Sequence, residues 1–137
     1  MNNKNMNTKK EKQKEKQKVV LIIEDEVDLR EALATALSYE DLTVLTAENG
    51  EIGLAMALRE KPNAILLDVM MPKMDGLTVL KNLRADEWGK NAKVIIMTAL
   101  DDLEKIAEVV EAGGNDYIVK TRITLSAIVE KVKEKLG

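Results

Sequence analysis

The sequence predicts an α/β domain, a doubly wound sheet of five parallel strands with helices on both faces. Three observations predict it. Five short apolar runs, at 19–23, 42–46, 64–67, 94–97 and 117–119, alternate with five longer stretches whose apolar residues recur at helical spacing. Three of these runs are unbroken (Val19 to Ile23, Ala64 to Leu67, Val94 to Met97), which suits strands covered on both sides. Four of the five end in a polar side chain, and in an all-parallel sheet with right-handed crossovers those ends lie along one edge, where ligands bind.

Taken in order, residues 1–17 form a Lys-rich tail and residues 18–137 the folded domain. The tail is Asn, Lys, Gln and Glu with too little apolar surface to offset the entropy of ordering, so it is expected to be disordered. Val19 to Ile23 is strand one and runs into Glu24, Asp25 and Glu26. A first helix over 25–40 places Leu29, Leu33, Ala36 and Leu37 on one face. Leu42 to Thr46 mixes Thr with Val and Leu at a period nearer two, as an edge strand with one wetter face does. A second helix over 49–60 carries Ile52, Leu54, Ala55, Met56 and Leu58, and Pro62 separates it from strand three.

Strand three ends in Asp68, because a carboxylate between two apolar layers is too costly to desolvate. Pro72 and Gly76 mark a loop, and helical spacing resumes after Asp75 with Leu77, Leu80 and Leu83, to about Asp86. Residues 87–91 are a loop, Val94 to Met97 is strand four, and Thr98 closes it. Asp101 and Asp102 are expected to cap a helix through Ala112 that Gly113 and Gly114 stop. Tyr117 to Val119 is strand five, ending in Lys120. Leu125, Ile128, Val129, Val132 and Leu136 stripe the last helix.

Composition removes several function classes. The 137 residues include no Cys and no His, so disulfides, thiolate chemistry, serine–histidine triads and imidazole metal sites are excluded from within this chain. No stretch approaches the roughly 20 apolar residues of a membrane span, and a cytoplasmic protein is expected. The net charge of −3 divides unevenly: residues 1–18 carry seven Lys against two Glu (+5), leaving −8 on residues 19–137. An acidic body does not bind nucleic acid through phosphate contacts, so no direct nucleic-acid binding is expected.

The strand ends bring together Glu24, Asp25, Asp68, Thr98 and Lys120. Singly, each has an ordinary structural use as a cap or a solvated charge. Jointly, three crowded carboxylates repel unless a cation neutralises them. Oxygen ligands without His or Cys point to Mg²⁺, with Mn²⁺ or Ca²⁺ as substitutes. With a divalent cation and Lys120 the site sums to about zero charge and suits a phosphoryl group. Asp68 is then the candidate nucleophile, since carboxylates form acyl phosphates.

On these residues the chain resembles the receiver domain of two-component response regulators, in its stand-alone, CheY-like form. Glu24-Asp25, the run from Leu67 to Gly76, Thr98-Ala99, and the run from Ala112 to Lys120 fall in that family's order, and the likeness covers about 18–137. The resemblance implies a flavodoxin-like sheet of order 2-1-3-4-5. It implies that Asp68 accepts phosphate from a sensor histidine kinase or a histidine phosphotransfer protein. Asp25, Asp68 and the Met70 carbonyl would coordinate magnesium, with Glu24 acting largely through water. Thr98 and Ala99 would lie at the phosphoryl group, Tyr117 would swing inward behind Thr98, and Lys120 would contact a phosphoryl oxygen.

Such a domain turns over no separate substrate; it switches a surface read by another protein, as a monomer or a phosphorylation-dependent homodimer. No further domain is expected after Gly137, so the expected output is conformational, through the helix at 101–112, strand five and the last helix.

Two departures matter. The family usually follows its Lys with a cis proline, but Thr121 stands here, and a cis bond before a non-proline residue costs about 3 to 4 kcal/mol. A trans bond and a reshaped loop at 120–124 are therefore expected. Met70 and Leu100, two residues after Asp68 and Thr98, are apolar and cannot orient a hydrolytic water, which predicts a long-lived phosphoryl state.

Three other functions compete. A receiver-like module that binds a partner without phosphorylation is the chief alternative. A phosphatase with an aspartyl-phosphate intermediate needs an acid where Met70 stands. A flavin site needs a Ser/Thr/Gly-rich loop where Asp25-Glu26 would repel phosphate.

Overall fold

Five parallel strands form one sheet in the order β2-β1-β3-β4-β5. In the computed structural model the described residues are 17–71, 73–99 and 103–137. The tail as far as residue 16, Leu100 and the capping pair Asp101 and Asp102 lie outside them. The strands are β1 (Val19–Ile23), β2 (Thr43–Ala47), β3 (Ala64–Asp68), β4 (Val94–Thr98) and β5 (Asp116–Val119). The helices are α1 (Val27–Ser38), α2 (Gly50–Glu60), α3 (Gly76–Ala85), α4 (Leu103–Glu111) and α5 (Leu125–Leu136). Short 3-10 turns occupy Gly89–Asn91, within the expected loop, and Lys120–Arg122.

The unbroken apolar strands work as two interleaved sets, because successive side chains point to opposite faces. Leu21, Ile23, Ile65, Leu67, Val94 and Ile96 pack with Ala57 of α2, Val79, Leu80 and Leu83 of α3 and Val109 of α4. Val20, Ile22, Ala64, Leu66, Ile95 and Met97 pack with Leu33 and Leu37 of α1 and Ile128, Val129 and Val132 of α5. The edge strand β2 leaves Thr43 and Thr46 exposed, but three positions apart they point to opposite faces, so the strand does not have the single wetter face its composition implies.

Helix starts follow their capping residues. Asn49 accepts from the Ile52 amide (2.9 Å), Asp75 from that of Thr78 (2.8 Å) and Thr124 from that of Ala127 (3.2 Å). At the other end of α4, Gly113 takes a φ of 101°, the left-handed turn that glycine makes without strain.

The helix over 49–60 differs from its expected packing. Ile52 and Leu58 face outward, 42% and 36% exposed, while Gly50, Gly53 and Ala57 are buried. A Cβ on Gly53 would sit 2.6 Å from Ile23 Cδ1, so α2 lies too close to β1 for larger side chains on that line.

Candidate functional site

Register builds the site. Ile23 stands opposite Leu67 in the β1–β3 pair, so Glu24, the next residue, arrives beside Asp68. Thr98 stands opposite Val119 in the β4–β5 pair, which delivers Lys120 one step beyond. Residues almost a hundred positions apart meet at the carboxyl edge of the central strands.

One carboxylate oxygen from each of Glu24, Asp25 and Asp68 lies within 4.8 Å of the others. Glu24 is fully buried and Asp68 is 2% exposed, whereas Asp25 opens to solvent. The Lys120 ammonium reaches both buried acids, 2.5 Å from Glu24 Oε1 and 3.3 Å from Asp68 Oδ2. The Lys120–Thr121 bond is trans, as are all peptide bonds among the described residues, and the 3-10 turn at Lys120–Arg122 carries the chain onward.

Backbone groups complete the frame. The Met70 amide donates to Asp68 Oδ1 (3.2 Å), and the Glu26 amide donates to Glu24 Oε2 (3.1 Å). Despite the close ammonium, Glu24 Oε1 accepts no hydrogen bond of good geometry among the described residues. The Lys120 ammonium offsets the charge on that oxygen, but one ammonium faces three carboxylates, an imbalance that a further cation relieves. The donor set is all oxygen and partly open to solvent through Asp25, so it fits a hard divalent ion.

Electrostatics agree with crowding. Burial, then a hydrogen bond and repulsion from Glu24, push the Asp68 carboxyl up to about 8; Lys120 and the Met70 amide oppose this only in part. Burial disfavours the Lys120 charge, but contacts with Glu24 and Asp68 outweigh it and raise the ammonium above its ordinary value. Without a divalent cation, Asp68 therefore tends to keep a proton.

Thr98 is 4% exposed at the end of β4, and Ala99 follows it at the surface. Tyr117 is not in the acidic cluster. It stands outward on β5, 42% exposed, and lines a narrow cleft with Val69, Ile96, Thr98, Ile106 and Val109. The Met70 side chain projects outward at 55% exposed.

Two further residues support the site. Arg30 of α1 donates to the Glu24 carbonyl (2.9 Å) and the Asp25 carbonyl (3.3 Å), fixing the acidic turn from behind. Gly76 brings α3 against the loop after Asp68: its amide donates to the Val69 carbonyl (2.9 Å), and a Cβ there would lie 2.3 Å from the Asp68 carbonyl oxygen. The sequence marks Gly76 as a loop end, and the close approach of its backbone to Asp68 requires glycine there.

Comparison with known proteins gives a consistent set of relatives. The family model described as response regulator receiver domain matches residues 20–133. The response regulator PleD of Caulobacter vibrioides is 45% identical over 102 residues, 74% of this chain and 22% of that protein. The Mycobacterium tuberculosis transcriptional regulatory protein TcrX is 41% identical over 101 residues, 74% of this chain and 42% of that one. The chain thus spans less than half the length of these curated relatives. Among solved structures, a CheY-like receiver domain protein from Methanospirillum hungatei has a TM-score of 0.81 at 29% identity, over 88% of this chain and 94% of that one. Chemotaxis protein CheY4 of Vibrio cholerae has a TM-score of 0.80 at 24% identity, over 86% and 98%, a likeness of fold.

Proposed function

Because the chain belongs to the response regulator receiver domain family of two-component systems, we propose that it accepts a phosphoryl group on Asp68 from the phosphohistidine of a sensor kinase or phosphotransfer protein. The observation that carries this reading is the meeting of Glu24, Asp25, Asp68 and Lys120 at one sheet edge. Asp25, Asp68 and the Met70 carbonyl would hold magnesium, for which manganese can substitute, with Glu24 behind them. When bound, the ion supplies positive charge that offsets the oxygens of the incoming phosphoryl group.

The chain's own groups do the rest. An Asp68 carboxylate oxygen forms the bond to phosphorus as the donor's nitrogen–phosphorus bond breaks, and the electron pair of that bond returns to the donor imidazole. Asp68 must be ionised to attack, so release of its proton is linked to cation binding. Lys120, already beside Asp68 Oδ2, is placed to balance charge on a phosphoryl oxygen. Thr98 at the end of β4 and the Ala99 backbone after it would border the same group.

Phosphorylation adds close to two negative charges and draws Thr98 toward them. The cleft behind Thr98 is where Tyr117 would turn inward, changing the surface of α4, β5 and α5 that a downstream protein reads. No substrate is turned over apart from the domain's own aspartate. A receiver-like module working without phosphorylation would not need Glu24 and Asp68 buried against each other with a single lysine between them.

The test is direct. Incubated with magnesium and acetyl phosphate, the protein should gain one phosphoryl mass at Asp68. The gain should disappear in Asp68→Asn and in chelator. Intact protein that never gains this mass from a competent donor, with magnesium present, overturns the proposal.

A further inference from the structure

The amino edge of the sheet, remote from Asp68, gathers lysines. Lys18 stands one residue before β1, Lys93 one before β4, and Lys61 three before β3. Pairing of the central strands brings these approaches together: the Asn63 amide donates to the Val19 carbonyl (2.8 Å), and the Ile65 amide to the Lys93 carbonyl (2.9 Å). A hollow of about 230 Å³ lies here, lined by the three lysines with Asn63, Trp88 and Asn91. Among the described residues no acid lines it.

The polar groups left over in this hollow are donors. Lys18 donates to the Leu136 carbonyl and Lys93 to the Lys135 carbonyl (2.7 Å), which caps the last turn of α5 but uses one proton of three on each ammonium. The Asn63 side-chain oxygen accepts from the Val19 amide (2.7 Å), so its NH2 group is the part still to be satisfied. Trp88 packs its ring against the core, and its indole N–H can only donate. The side chains of Lys61, Trp88 and Asn91 have no hydrogen bond or ion pair among the described residues.

Capping of α5 accounts for Lys18 and Lys93 but not for Lys61. Lys61 is itself the carboxyl cap of α2, with φ 47° and ψ 59°. Glycine makes this left-handed turn freely, whereas a side chain there costs stability. A lysine kept in a strained cap, its ammonium unpaired beside two others, is better explained by a ligand than by the fold. Three neighbouring ammonium groups repel one another, and an anion between them relieves that repulsion.

We propose that this hollow binds a small, multiply charged phosphate anion of the pyrophosphate type. Lys18, Lys61 and Lys93 hold its oxygens, with the Asn63 NH2 and Trp88 N–H groups as further donors. The hollow falls short of the roughly 300 Å³ at which pockets for larger organic ligands begin, so a compact anion suits it. The site needs neither Asp68 nor a divalent ion. Because the approaches to β1, β3 and β4 meet only in the folded chain, the bound anion stabilises the fold by mass action.

Trp88 is the only tryptophan, so its emission reports on the hollow. Titrating the full chain with sodium pyrophosphate in chelator should give a saturable change in emission, with amide NMR shifts at Lys61, Asn63, Asn91 and Lys93. NaCl at equal ionic strength should give neither. Lys61→Gly separates binding from folding, because it removes the ammonium and relaxes the cap. Its affinity for pyrophosphate should fall about fivefold, the loss of one exposed ion pair, while its urea midpoint rises. Lys61→Gln with Lys93→Gln should weaken binding about tenfold or more, and Asp68→Asn should leave it unchanged. A change that NaCl reproduces, shifts that centre on Asp68 instead, or full affinity in the lysine variants overturns the proposal.

Discussion

Asp68 has to serve as a nucleophile while buried beside another acid, and this conflict can be measured. In chelator its carboxyl holds a proton up to about pH 8 in the folded chain, against 3.8 as its ordinary value. Between those two values the folded chain binds more protons at this site than the unfolded chain. Its contribution to stability is therefore lost as pH rises from about 4 to about 8. Asp68→Asn should abolish that component and stabilise the metal-free protein at pH 8 by on the order of 2 kcal/mol. Urea unfolding of both proteins across this pH range measures it, since their difference cancels the acids that do not touch Asp68. A difference that does not change with pH would show that Asp68 is ionised throughout. Met70 poses a separate question of lifetime. Its thioether is exposed beside Asp68 and offers water no strong hydrogen bond. Met70→Asn should speed loss of the phosphoryl group by about tenfold, below the usual range for a full general base. Decay of the acid-labile phosphoprotein at or below the parent rate would count against it.

Arg84, near the end of α3, shows how elements are tied at the edge of the sheet away from the acids. Its guanidinium donates to the Gly89 carbonyl (2.7 Å), the Ala92 carbonyl (2.8 Å), the Gly113 carbonyl (3.0 Å) and Asn115 Oδ1 (3.1 Å). One side chain thus joins α3, the 3-10 turn, the approach to β4 and the turn between α4 and β5. Arg84→Met leaves several carbonyls with lost partners and should cost about 2 to 3 kcal/mol in urea unfolding. Arg84→Lys should recover only part of this, because an ammonium lacks the planar fork; full recovery would show that charge alone suffices. Nothing in the residue spacing marked Arg84, since its partners are carbonyls, which every residue carries. The glycine line of α2 was hidden for a related reason. Apolar spacing points to the largest side chains, Ile52 and Leu58, whereas a helix pressed on β1 buries its smallest. Strand ends were legible because their signal is local, a polar residue closing an apolar run, whereas the caps Asn49, Asp75 and Thr124 do not show in apolar spacing. The meeting of Glu24 with Asp68 followed from parallel order alone, but the outward stance of Tyr117 depends on packing around Thr98 that no periodicity encodes.

The whole molecule is anchored unevenly, and this decides where a local charge change can travel. On one face α5 buries Ile128, Val129, Val132 and Leu136, and α1 buries Leu33 and Leu37. Among its described side chains α4 buries only Val109, with Ile106 half-buried and Val110 exposed. Its neighbour β5 is an edge strand whose Tyr117 faces solvent. Few buried apolar contacts mean a low free energy of local opening, so α4 and β5 can be repacked at low cost. A narrow cleft is shared by Thr98, Ile106, Val109 and Tyr117, and its wall includes Val69, the residue after Asp68. Amide hydrogen exchange should accordingly be faster in α4 than in α3 or α5 when Asp68 is unmodified. Beryllium fluoride with magnesium, standing in for the phosphoryl group, should change exchange chiefly in α4 and β5 and leave α1 and α2 close to their starting rates. Arg84 holds the Gly113 turn at the far end of α4, so the change should be largest toward the Thr98 end and smallest near Gly113. Uniform slowing across all five helices would instead mean that the ligand stabilises the fold as one unit, and the uneven anchoring of α4 would then have no part in signalling.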